Sequence, residues 1–163
     1  MLEFPLIRPI TQDDSAAVIS LAVASGLFPE NETEPLDAMM AHYFDGNLDD
    51  GHACVIHEEE GEPLGVAYYA PAPATDRTWY LTMIAVRRDR QGQGRGAALM
   101  RHVENALQAG GHRVLLVETS ALPAYERTRT FYAKLGYEEE ARVRDFYAAG
   151  DDMVLFRKTL NAE

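Results

Sequence analysis

Cysteine is nearly absent: Cys54 is the one thiol in 163 residues. A single cysteine excludes an intrachain disulfide and any multi-cysteine metal site within one chain. Cys54 sits in the apolar run His52-Ala53-Cys54-Val55-Ile56, which suits a small buried hydrophobe better than a nucleophile. The histidines, at 42, 52, 57, 102 and 112, include no His-x-x-x-His pair with a third ligand nearby, so no metal is expected. Long apolar runs are lacking too. The longest, residues 16–28, is broken by Ser20, Ser25 and Gly26 and falls short of the roughly 20 apolar residues of a membrane span. Positive charge is scarce, with 15 Lys and Arg against 26 Asp and Glu, a net charge of -11. Phosphate neutralisation supplies most nonspecific nucleic-acid affinity, so nucleic acid is a poor partner for this chain. A cationic substrate suits it better, although carboxylates that only maintain solubility explain the charge equally well. Met1-Leu2-Glu3-Phe4-Pro5 lacks the basic start and apolar middle of a secretion signal, so a cytoplasmic location with no membrane partner is expected.

With 47% hydrophobic and 25% charged residues, the composition is that of a globular protein, and the length suits one core, read as a single domain over 1–163. A short strand over Ile7 to Ile10 precedes Thr11, which with Asp14 three residues later has the form of a capping box. Val18, Leu21 and Ala22 then mark the inner face of a helix that Gly26 stops. A second helix is read from Pro35 to Phe44, and a hairpin from His52 to Glu58 and Pro63 to Ala70 around a Glu-Gly turn. Trp79 to Val86 is apolar on both faces, which fits a covered central strand. Leu99, Val103 and Leu107 form the stripe of a helix over Gly96 to Ala109. A strand over Arg113 to Thr119, a helix over Tyr125 to Leu135 and strands over Glu140 to Tyr147 and Met153 to Leu160 complete the order.

The most informative stretch joins the central strand to its helix: Arg90-Gln91-Gly92-Gln93-Gly94-Arg95-Gly96-Ala97. Glycines at alternate positions remove side chains that would keep an anion away. Backbone N–H groups at a helix start lack internal partners, and the helix dipole adds to their attraction for phosphate. A Walker loop would need Gly-Lys-Ser or Gly-Lys-Thr, and a dinucleotide fingerprint Gly-x-Gly-x-x-Gly with a later acid; neither pattern fits. A glycine-rich turn on its own is often only a tight connection. Here Arg87, Arg88, Arg90, Arg95 and Arg101 surround it against the single Asp89, which favours a polyanionic ligand.

Gln91-Gly92-Gln93-Gly94-Arg95-Gly96 resembles the Gln/Arg-x-x-Gly-x-Gly/Ala loop with which the GNAT superfamily of acyl-CoA-dependent N-acetyltransferases grips coenzyme A. About 40 residues downstream, Phe131-Tyr132-Ala133-Lys134-Leu135-Gly136-Tyr137 is similar to that family's second signature. The element order matches along nearly the whole chain, whereas the motifs are confined to residues 79–137. The resemblance implies an α/β fold, a mixed and mostly antiparallel sheet of about seven strands flanked by four helices. It also implies acetyl-CoA (coenzyme A) as cosubstrate and an amine-bearing small molecule or peptide as acceptor, with a homodimer as a family-level expectation.

Acetyl transfer from a thioester to an amine needs a neutral amine, a stabiliser for the oxyanion and a proton for the departing thiolate. By the resemblance, Gln91, Gly92, Gln93, Gly94, Arg95, Gly96 and Ala97 take the pyrophosphate, and the backbone of Ile84, Ala85 and Val86 takes the pantetheine and acetyl oxygen. Tyr132 stands at the family's general-acid position; read without the family it is a half-buried aromatic on a helix. Glu118, at a strand end, stands where several relatives place a base, and partial burial would raise its carboxyl toward neutrality. A carboxylate there also suits capping of the next loop. Asp145, Asp151 and Asp152, and Glu30, Glu32 and Glu34 within the acceptor region Phe28 to Leu36, suit a cationic acceptor or plain solvation. Tyr125 stands where many relatives carry a cofactor-contacting Asn, so it is expected to line the acceptor pocket instead. Two alternatives share the glycine loop: a non-catalytic acyl-CoA-binding sensor or subunit, and an unrelated nucleotide-phosphate binder.

Overall fold

The computed structural model describes residues 6–26 and 31–160. Phe28, Glu30 and the amino-terminal segment read for a secretion signal lie outside them. Strands β1 (Leu6–Pro9), β2 (Ala53–Glu59), β3 (Glu62–Pro71), β4 (Thr78–Val86), β5 (Val114–Ser120), β6 (Glu138–Ala148) and β7 (Asp151–Thr159) form one sheet in the order β1-β2-β3-β4-β5-β7-β6. Helices α1 (Ser15–Ala24), α2 (Glu34–His42), α3 (Arg95–Ala109) and α4 (Glu126–Lys134) accompany it. The expected mixed sheet is therefore present, with β4 in its centre. β4 and β5 are parallel, a pairing that requires a crossover, and α3 lies in that crossover. No helix among the described residues is long and apolar enough to cross a membrane.

Two compact units divide the chain, Met1–Ala70 with Met83–Asn105, and Pro71–Thr82 with Ala106–Glu163. In the first, β1 and β2 pair antiparallel from Leu6↔Glu58 to Pro9↔Val55, and β2 and β3 from Ala53↔Tyr69 to Glu59↔Glu62, with a register shift between His57 and Glu58. Val18, Leu21 and Ala22 of α1 pack with Leu36 and Met40 of α2 against Ile56, Val66, Tyr68, Met83 and Ala85. Cys54 belongs to this core at 1% exposure, and burial pushes its thiol up to about 12, as a packing residue requires. Gly65 lets α3 approach the sheet: a methyl group there would lie 2.9 Å from Leu99 Cδ1 and 3.3 Å from the Ala85 carbonyl.

Thr11 and Asp14 do form the capping box, but it opens a single 3-10 turn, Gln12–Asp14, that leads into α1. The Asp14 carboxylate accepts from the Thr11 N–H at 2.7 Å and from both terminal nitrogens of Arg8 at 2.8 and 3.0 Å. Chiefly through Arg8, its carboxyl is held down at about 2. A lowered carboxyl stabilises the fold above its unfolded value near 4, and the contribution is lost as pH falls toward 2. Asp14→Ala should therefore cost about 1–2 kcal/mol in urea melts at pH 7 and progressively less toward pH 2. A loss independent of pH would contradict this.

In the second unit, the parallel register runs from Thr78↔Val114 to Leu81↔Val117, while β4 continues to Val86 and β5 to Ser120. On its other side β5 pairs antiparallel with β7, from Val114↔Thr159 to Ser120↔Met153, and β7 pairs with β6. β4 is not apolar-buried on both faces as its sequence suggests: Trp79, Leu81, Met83 and Ala85 are buried, Tyr80 and Ile84 half-buried, and Thr82 exposed. β6 is exposed along its length, and the Glu138-Glu139-Glu140 run with a register shift beside it disfavours pairing of this sheet edge with another chain.

Candidate functional site

Between β4 and α3 the chain makes a 3-10 turn, Arg88–Arg90, and then the glycine loop. Gly92 and Gly94 have φ of 76° and 88°, left-handed conformations that side chains other than glycine adopt at a cost. A methyl group built on Gly94 would meet nothing within 4 Å. The space beside this turn is open. The Ala98 N–H donates to the Gly94 carbonyl at 3.0 Å as the helical ladder begins, so the amides of Arg95, Gly96 and Ala97 precede it. Gln91 is fixed rather than free: its side-chain amide donates to the Val86 carbonyl at 2.8 Å and to the Ser25 carbonyl at 3.3 Å. It ties the loop to the end of β4.

The arginines read as a cationic cradle are partly committed elsewhere. Arg87 pairs with Glu62 and with Asp89, and the Arg88 guanidinium lies against Gly26, where a methyl group would fall 2.1 Å from its terminal nitrogen. Arg95 Nε donates to Glu59, with Nη2 3.2 Å from the other Glu59 oxygen. The same guanidinium donates to Gln93 Oε1 at 2.6 Å and to the Arg90 carbonyl at 3.4 Å. His57, at 2% exposure, has its Nε2 3.6 Å from Glu59, and neither ring nitrogen has a hydrogen-bond partner among the described residues. Burial holds His57 below the ordinary imidazole value, so the ring is neutral at pH 7 and Glu59 is left to Arg95. Neither Glu59 nor His57 was singled out by the sequence, because their link to the loop is not local.

The expected catalytic residues lie in the second unit. Tyr132 of α4 is buried at 4% exposure, deeper than the half-buried position its helical spacing suggests. Phe131, Tyr137 and Phe156 surround its ring, with centroids 5.3, 5.8 and 5.7 Å away. Burial pushes its phenol above the ordinary tyrosine value, so it is protonated at neutral pH. Glu118, on β5 opposite Leu155, is exposed, and the partial burial expected for a base is not there. Partial burial raises the Tyr147 phenol, and the charge of Glu118 and then of Asp151 adds to the effect, as does Tyr125. Ser120 Oγ donates to Asp151, and Arg129 Nη1 donates to the Ser120 and Leu122 carbonyls at 2.7 and 2.9 Å, bracing the loop after β5.

Asp145 and Asp152 serve their own hairpin. Asp152 accepts from the Asp145 N–H and from Arg142 Nε, each at 2.9 Å, and Asp145 accepts from the Gly150 N–H at 2.8 Å. These bonds give both carboxylates a role in the turn itself. No group of three or more metal-ligating side chains occurs among the described residues.

Comparison with known proteins covers most of the chain. The family model described as "Acetyltransferase (GNAT) family" matches residues 16–137. The chain belongs to the GNAT acetyltransferase family. A GNAT-family crystal structure from Desulfovibrio desulfuricans is 31% identical, covers 97% of this chain and 100% of its own, and superposes with a TM-score of 0.90. Two further structures share the fold. The ribosomal-protein-S18-alanine N-acetyltransferase of Escherichia coli has 20% identity and a TM-score of 0.79, covering 98% of this chain and 96% of its own. The YncA structure from Salmonella typhimurium, with its cofactor acetyl-CoA, has 19% identity and a TM-score of 0.79, covering 99% and 96%. No curated protein matches. The matched GNAT segment contains the glycine loop, the end of β4, Glu118 and Tyr132, and it stops at Tyr137, ahead of β6 and β7.

Proposed function

We propose that this GNAT protein transfers the acetyl group of acetyl-CoA to a primary amine of a small molecule or peptide by direct attack. The observation that carries the reading is the left-handed turn at Gly92 and Gly94, open beside Gly94 and followed by amides that precede the α3 ladder. It suits a diphosphate, because oriented N–H groups and a helix N-terminus cost no reorganisation when the anion arrives. Acetyl-CoA in the Salmonella typhimurium protein supports the choice of anion.

In this reading the amides of Gly92 to Ala97 hold the diphosphate, and the backbone of Ile84 to Val86, beyond the last parallel pair of β4, takes the pantetheine and acetyl oxygen. The amine nitrogen attacks the thioester carbonyl carbon, and the carbon–sulfur bond breaks as the tetrahedral intermediate collapses. Tyr132 gives the leaving thiolate its proton, and Glu118, directly or through water, receives the proton the amine loses. The products are an N-acetylated amine and free coenzyme A. Exposure leaves Glu118 accessible to a soluble amine. Glu118→Gln should lower turnover about tenfold with coenzyme A affinity unchanged; full turnover would remove it from the reaction.

A second reading, acyl-CoA binding without turnover, is favoured by one observation: Tyr132 is packed among three aromatic rings as a core residue would be. Calorimetry with acetyl-CoA, run beside a thiol-release assay over polyamines, amino sugars and basic peptides, separates the two. Amine-dependent thiol release supports the transferase, and binding without release supports the sensor. Failure of acetyl-CoA to bind would overturn both, and competition by ATP would identify a general nucleotide-phosphate binder.

A further inference from the structure

We infer that Glu59 is a positioning residue for the coenzyme A diphosphate, acting through Arg95 to hold the glycine loop in its binding shape. The inference rests on the proposed use of that loop. Arg95 opens α3, and its one guanidinium reaches three places: both carboxylate oxygens of Glu59 at the end of β2, Gln93 inside the loop, and the Arg90 carbonyl before it. Arg95 is 17% and Glu59 30% exposed at the side chain, so the pair is partly screened from water. Four of the five N–H donors of the guanidinium are so engaged, which leaves little of it to clamp a phosphate. It serves instead to brace the loop.

The local structure aims Glu59 at this task. The register shift between His57 and Glu58 falls next to it, and such irregularities redirect the side chains that follow. His57 Nε2 lies 3.6 Å from Glu59 in a neutral ring with no hydrogen bond among the described residues, so the carboxylate is left to Arg95. The Glu59 carboxyl is held below the ordinary range, first by its hydrogen bond from Arg95, so the pair stays ionised through neutral pH. A loop containing two left-handed glycines has wide freedom when unbraced, and binding would have to bear that ordering cost.

The test is the coenzyme A affinity of Glu59→Ala, Glu59→Gln, Arg95→Ala and the Glu59→Ala/Arg95→Ala double variant, by calorimetry below their melting temperatures. Each single variant should bind coenzyme A about tenfold more weakly, and the double variant no more weakly than either single, since one brace is lost in all three. Coenzyme A lacking its 3′-phosphate should show the same ratios. Glu59→Gln, which keeps the shape of the side chain, stands in for the alanine variant if that one does not fold. Unchanged or tighter binding by the Glu59 variants would overturn the inference, because it would mean that Arg95, once released, serves the phosphates directly; additive losses would do so too. If the unaltered protein fails to bind coenzyme A, the proposed function falls, and the inference with it.

Discussion

Gly94→Val should bind coenzyme A about 100-fold more weakly than the unaltered protein, a difference of about 2.7 kcal/mol. Two causes add. Gly94 sits at φ 88°, where a β-branched residue costs about 1–3 kcal/mol or forces the turn to relax. If the turn holds, the new Cβ projects into space that no protein atom fills within 4 Å. In the free protein that Cβ meets nothing, so its steric effect appears when a diphosphate must lie against the amides. Gly94→Ala, smaller and unbranched, should lose less. Calorimetry with a parallel thermal melt checks the claim, and full affinity in a folded Gly94→Val would contradict it.

Tyr132→Phe should reduce amine-dependent thiol release at least tenfold, at saturating acetyl-CoA, with coenzyme A bound as before. The size follows from general-acid catalysis, for which losses of about 10²–10⁴ are typical, reduced here because solvent can reprotonate a thiolate slowly. Phenylalanine keeps the ring that packs against Phe131, Tyr137 and Phe156, so the melting temperature should move little. Burial keeps the hydroxyl protonated at neutral pH, so it holds a proton to share with the departing thiolate. Unchanged turnover would return Tyr132 to a packing role.

Local patterns carried most of the fold into the sequence. The stripe of Leu99, Val103 and Leu107 is one face of α3, and all three are buried. The Thr11 and Asp14 pair marks the entry to α1 because a capping box spans only three positions. Alternate glycines mark the loop because left-handed backbone at Gly92 and Gly94 demands them. What escaped depends on partners far along the chain. Arg95 looks like a phosphate ligand from its neighbours, yet Glu59, 36 positions away, occupies it. Tyr132 looks half-buried from its helix alone, while Tyr137 and Phe156, which close over it, lie outside that helix. Glu118 ends an apolar strand and so suggests burial, but its place in β5 is one that faces solvent. The bonds that Asp145 and Asp152 make within their own hairpin are likewise not legible from a run of turn residues.

A crystal structure of the protein with bound coenzyme A tests the central claim most directly. Diphosphate oxygens are expected about 3 Å from main-chain nitrogens between Gly92 and Ala97, with the Arg95 guanidinium still paired to Glu59. A diphosphate bound elsewhere, with the turn at Gly94 vacant, would contradict it.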